Sequence, residues 1–100
     1  MANWTTENIK AVWEKAEVDK DHASNKYRKD QCGAWIKFDE YGNRYSSYGW
    51  EIDHITHVSK GGGDSLSNLR PLQWENNASR SDGRLKAVIT SDGNKNVRVG

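Results

Sequence analysis

Five polar residues in the second half of the chain combine types and spacing that could do chemistry. Asp53 and His54 are adjacent, Asn68 lies fourteen residues beyond His54, Asn77 nine further on, and Arg80 three after that. A carboxylate and an amide oxygen are hard donors. They suit Mg²⁺, which keeps much of its water and takes few protein ligands besides phosphate. An imidazole, with an ordinary pKa near ~6.5, can take a proton from water at neutral pH. A guanidinium can hold a phosphate through two parallel hydrogen bonds. Gathered round one point, these groups imply phosphodiester hydrolysis. An Asp-His pair taken alone reads as structural, a carboxylate capping a loop. Asn68 and Asn77, following in order, turn the pair into a candidate site.

Several elements must position these groups. Tyr48 to Asp53 alternates as a strand, with Trp50 and Ile52 on one face. Neighbours on a strand point to opposite sides, so Asp53 and His54 reach one cleft only if the strand end twists. Gly61 to Asp64 reads as a flexible loop, and Asn68 to Leu72 as a short strand that Pro71 confines to an edge. Gln73 to Ser81 reads as a short helix ended by Gly83, and its i, i+3 spacing puts Asn77 and Arg80 on one face. Upstream, Ile9, Val12, Trp13 and Ala16 form the apolar stripe of a helix over 6–17, capped by Thr5 or Thr6. Residues 17–30 read as a solvated connection. Ala34, Ile36 and Phe38 alternate, and Tyr41-Gly-Asn is turn chemistry, so 34–38 is expected to form an antiparallel hairpin with 48–53. The tail, 85–100, reads as a weak hairpin or a frayed end.

Composition narrows the class. The chain has 100 residues, 34% apolar against about 45–50% in an average domain, with a mean hydropathy of -1.01. No window approaches the ~18 apolar residues of a membrane span, and the N-terminus has no basic, apolar secretion signal. One cysteine, Cys32, excludes an internal disulfide and every multi-cysteine zinc site. The expectation is a cytoplasmic protein without a membrane partner. Each sign of charge occurs eight times in residues 1–50, and seven basic residues face six acidic ones in 51–100, so net charge argues for no partner. The five tryptophans are expected to supply much of the core.

Glu51-Ile-Asp-His-Ile-Thr-His-Val-Ser-Lys-Gly-Gly, then Asn68-Leu-Arg-Pro-Leu, then Asn76-Asn77-Ala-Ser-Arg80 resembles the HNH endonuclease family over about residues 48–82. The Cys-Gly-Ala-Trp and Tyr-Gly-Asn stretches look like a small bacterial and phage subgroup. The resemblance implies an α+β fold: one domain over 1–100 with a ββα-metal core, the N-terminal helix and the antiparallel hairpin. In that core two strands, a loop and a helix clamp one divalent ion. It further implies Asp53 and Asn77 as metal ligands, His54 as the general base, and Asn68 as the residue that orients the loop and the histidine. Arg80 matches a phosphate-contacting position, with Arg70 and Lys60 as weaker candidates for the substrate backbone. Mg²⁺ is the expected ion, with Mn²⁺, Ni²⁺ and Zn²⁺ as alternatives, and no structural zinc is expected.

The implied partner is DNA, with targeting supplied by a dimer partner or a larger assembly because the net charge is only +1. The alternative is a catalytically silent nucleic-acid-binding module of the same fold. His57 stands where many relatives have Pro, and its i, i+3 spacing from His54 raises a lesser zinc alternative. Cys32 reads as a small buried residue rather than a nucleophile.

Overall fold

The computed structural model describes residues 4–80 and 84–99. Helix α1 (Thr6–Trp13) begins in a capping box: the Thr5 hydroxyl accepts from Asn8 N at 3.1 Å, and the Asn8 side chain accepts from Thr5 N at 3.3 Å. It ends four residues earlier than the apolar stripe suggests. Arg28 donates to the Glu14 carbonyl at 3.0 Å, and Glu17 pairs backbone to backbone with Lys29, so tertiary bonds draw the chain off the helix axis. Val12, Trp13 and Ala16 are nonetheless all buried.

The described strands form three two-stranded antiparallel sheets. Strand β1 (Tyr27–Lys29) pairs with β2 (Trp35–Lys37), β3 (Trp50–His54) with β4 (Leu69–Gln73), and β5 (Ile89–Asp92) with β6 (Lys95–Arg98). Helix α2 (Trp74–Ala78) follows β4 without a break, capped by the Gln73 side chain. The expected hairpin between 34–38 and 48–53 does not form. The chain turns away in a 3₁₀ segment, Phe38–Glu40, and β2 pairs instead with β1, inside the stretch read as a solvated connection. Cations on and beside that polar hairpin lie over aromatic faces: Lys29 Nζ over Trp35 at 4.7 Å, Arg28 over Trp13 at 5.7 Å, and Lys37 Nζ over Tyr27 at 5.8 Å. The second predicted helix is shorter than 73–81, and its expected Gly83 cap lies outside the described residues. The tail does form a hairpin, β5–β6.

The core is aromatic. The Trp13 ring lies 5.4 Å from both Trp50 and Phe38, and Tyr41 lies 5.0 Å from Trp50. The indole N–H groups of Trp13, Trp35 and Trp50 donate to the carbonyls of Ser24, Gly93 and Phe38. Trp4 and Trp74 are only half-buried, and Trp4 packs against this core from its edge.

A buried carboxylate ties the two halves of the chain together. Asp30, 2% exposed, accepts from the backbone N–H of Cys32, Ala34 and Gln73, each at 2.9 Å, and from Asn76 Nδ2 at 3.0 Å. The Asn76 oxygen in turn accepts from Val88 N and Ile89 N at 2.8 Å. Burial pushes the Asp30 carboxyl up, against four donors that favour its charged form. Cys32 is half-buried rather than buried. Burial and the neighbouring Asp30 charge push its thiol up to about 11.

Asp30→Ala leaves four donors without their acceptor. It is expected to lower unfolding stability by about 3 kcal/mol or more in denaturant titrations, with little recovery in Asp30→Asn, whose NH₂ faces donors. A loss below about 1 kcal/mol contradicts the staple. Because little of the Cys32 thiol is thiolate at pH 8, alkylation of the folded protein there should run on the order of a hundredfold slower than for a free thiol and accelerate up to pH 11.

Candidate functional site

The register of β3 on β4 sets two faces. Asp53 sits opposite Arg70, and His54 opposite Leu69. Glu51 and Asp53 share the face that reaches α2 and the residues just after it. Glu51 and His54 line one cavity, and Asp53 lies outside its lining, so the strand end does not present Asp53 and His54 side by side there.

Asp53 is 7% exposed, and each carboxylate oxygen meets a guanidinium: Oδ2 accepts from Arg70 Nε at 2.7 Å and Oδ1 from Arg80. The Arg80 side chain is only 3% exposed and also donates to the carbonyls of His54 and Ile55. Arg80 therefore closes the strand end onto the residues after α2 rather than standing open to solvent. Arg70 is half-buried and also reaches Gln31.

His54 has other partners. Its ring lies 5.8 Å from that of Trp4, and its Nε2 is 2.7 Å from the Asp64 carboxylate. A carboxylate only accepts, so Nε2 donates to it, and in the neutral ring Nδ1 is the acceptor. Asn68 holds the loop that carries Asp64: its Oδ1 accepts from Thr56 N at 2.8 Å, and its Nδ2 donates to the carbonyls of Gly63 and Thr56 at 2.8 and 3.2 Å. The loop is too tight for a side chain at Gly62, where a Cβ would strike the Thr56 carbonyl. His57 caps its own turn, accepting from Ser59 N, and Lys60 is exposed at the end of that turn.

Asn77, on α2, donates through Nδ2 to Glu51 at 2.8 Å, which turns its Oδ1 away from Glu51. Arg44 pins the same carboxylate through two bonds, Nε at 2.6 Å and Nη2 at 2.8 Å. Burial alone would raise the Glu51 carboxyl, but the hydrogen bonds from Arg44 and Asn77 outweigh it and hold the group below its ordinary value. A cavity of about 720 Å³ opens here, lined by Trp4, Tyr41, Gly42, Arg44, Glu51, Ile52, His54 and Asn77. The structure thus brings His54 and Asn77 to one cavity and leaves Asp53 in its arginine clamp, outside the lining. Asp64, Glu51 and Arg44 join the site without having been singled out from sequence. Glu51, two residues before Asp53 on an alternating strand, was the legible one.

The sequence model of the HNH endonuclease family matches residues 31–80. The chain belongs to the HNH endonuclease family. The match begins ahead of the 48–82 core and takes in β2. No curated protein and no solved structure matches the chain.

Enzymes of the HNH family use a divalent ion, and the donors here can be tested for it. Among the described residues no three His, Cys, Asp or Glu side chains cluster as a metal cage. A Mg²⁺-type ion needs fewer protein ligands, and the Asp53 carboxylate and the Asn77 amide oxygen are hard donors of the right type, but both Asp53 oxygens already face guanidiniums. Asp53 reaches such an ion only by giving up a guanidinium, so cation binding and ion pairing compete.

Removing Arg80 leaves a buried carboxylate with one partner. Arg80→Ala is expected to cost about 3 kcal/mol in denaturant unfolding, with only partial recovery in Arg80→Lys, which cannot span the carboxylate and two carbonyls. An unchanged midpoint contradicts the clamp.

Proposed function

We propose that the protein is a metal-dependent DNA endonuclease built on a ββα-metal core made by β3, β4 and α2. The observation that carries this reading is His54: a half-buried imidazole on the wall of an open cavity, braced at Nε2 by a carboxylate and with Nδ1 left to accept.

In this reading Asp53 and Asn77 hold one divalent ion, most simply Mg²⁺, which when bound supplies Lewis-acid stabilisation of charge on the phosphate. The remaining steps belong to the chain's own residues. His54 Nδ1 takes a proton from a water whose oxygen attacks phosphorus in line. The bond from phosphorus to the leaving oxygen breaks, and that oxygen takes its proton from solvent. The imidazolium so formed faces Asp64, which stabilises its charge. Asn68 keeps the Asp64 loop closed on the imidazole. Arg44, half-exposed at the cavity and paired with Glu51, Lys60 and Arg70 are candidates for the nucleic-acid backbone. Arg80 is assigned first to holding Asp53, and it turns to phosphate only when released.

A second reading has one observation in its favour. Asp53 is saturated by arginines, as it would be in a module that binds DNA without turnover.

Supercoiled plasmid with Mg²⁺ or Mn²⁺ separates the two. The wild type is expected to nick or linearise it, and His54→Ala to lower the rate by about a hundredfold or more. Asp64→Ala should give a smaller loss without a change in melting temperature. DNA binding with no cleavage by the wild type supports the silent module.

A further inference from the structure

We infer that Tyr45 is a nucleobase-contacting residue: its exposed ring, on the 41–48 loop directly after the cavity-lining Arg44, stacks against a base of the bound DNA near the phosphate that is cut. The inference rests on the nucleic-acid reading above and names the part of the substrate that the loop meets.

Tyr45 is 103% exposed, as accessible as in an extended peptide. A ring in that position contributes nothing to the core. An exposed aromatic on a mobile loop would mean little, but this loop is fixed. Asn43 Oδ1 accepts from Tyr45 N at 2.9 Å, and Asn43 Nδ2 donates to Glu40 at 2.9 Å. Gly42 N donates to the Trp50 carbonyl at 2.8 Å. The Ser46 carbonyl accepts from the Trp74 indole at 2.9 Å, and the Ser47 carbonyl accepts from Gln73 Nε2 at 3.1 Å and Asn96 Nδ2 at 2.8 Å. At Gly49 a Cβ would strike the Asn43 carbonyl, so the chain leaves the loop through a fixed close approach. Bonds on both sides of Tyr45 therefore hold a large ring out into solvent.

Position supplies the second argument. The preceding residue, Arg44, lines the cavity with His54 and Asn77, and its guanidinium lies 5.7 Å from the ring of Trp74, the first residue of α2. The loop thus rides on the helix that carries Asn77. A guanidinium at the cavity, already paired with Glu51, is followed in sequence by an exposed ring, the order in which phosphate and base alternate along a strand. Stacking on an unstacked base accepts any base, because every base has a π face, and in a duplex the ring first opens a base step. The fixed backbone leaves only the two side-chain torsions of the tyrosine to be ordered by the contact.

The test uses the full chain and a duplex carrying 2-aminopurine, whose fluorescence reports stacking, together with plasmid cleavage. Tyr45→Ala is expected to keep the wild-type melting temperature, weaken duplex binding about tenfold and abolish the 2-aminopurine response, while Tyr45→Trp keeps both binding and response. Equal affinity and equal fluorescence for wild type and Tyr45→Ala overturn the inference, and a wild type that still cleaves plasmid leaves the nuclease reading intact. A wild type that binds and responds through Tyr45 but does not cleave upholds the base contact and removes only turnover. A wild type with no affinity for DNA overturns both.

Discussion

The carboxylate of Asp53 is the constraint on which the arrangement of this site depends. It sits on a strand, faces the neighbouring strand through Arg70, and receives Arg80 from beyond the helix that follows. Three pieces of chain separated by 17 and 27 residues therefore meet at one group. Such a buried ion cluster adds little net stability over apolar packing, yet breaking it is costly, because each remaining charge stays out of water without its partner. It fixes where α2 ends relative to β3, and hence where Asn77 stands relative to His54. The same group is the carboxylate assigned to hold the ion in the proposed reading. Structural pairing and cation binding draw on the same two oxygens, and the proposed activity depends on which wins.

The second fixed point is Asp30. With one cysteine in the chain, the frame around β2 and the β4–α2 junction cannot be closed by a thiolate-bound ion, and a carboxylate with four N–H donors does that work. Asn76 extends the bonding to β5, so the last hairpin is tied to the same centre. Buried polar centres of this kind stabilise only when every member is satisfied. The described residues leave no buried side-chain nitrogen or oxygen without a partner. One consequence reaches the site: Gln73, which donates its backbone N–H to Asp30, also caps α2 with its side chain.

Much of this was legible in the sequence, and the failures have identifiable causes. The α1 stripe, its Thr5 cap, the β3 and β4 strands and the short following helix are all local signals, read correctly in kind. The end of α1 was misplaced because Arg28 and Lys29, distant in sequence, capture Glu14 and Glu17. Strand β1 was missed because Tyr-Arg-Lys has no alternation of apolar and polar residues, and its cations are covered by stacking on rings. The false hairpin followed from reading turn chemistry at Tyr41-Gly-Asn as a two-strand connection. That segment instead builds the loop that carries Tyr45. At the candidate site, Asp53, His54, Asn68 and Asn77 were singled out from type and order, and the structure brings His54 and Asn77 to one cavity while Asp53 sits in an arginine clamp. Asp64 could not be found, since an acidic residue beside glycines looks like any solvated loop. That Arg80 is buried in a clamp was likewise invisible, because sequence gives the charge of a residue and not the direction it faces.

The most direct measurement is anomalous diffraction from crystals soaked in Mn²⁺. The account predicts one peak shared by the Asp53 carboxylate and the Asn77 Oδ1, with the Arg80 guanidinium moved off Asp53 and His54 still held by Asp64. A Mn²⁺ peak away from both side chains, with Asp53 still gripped by its two arginines in crystals of cleavage-competent protein, contradicts it.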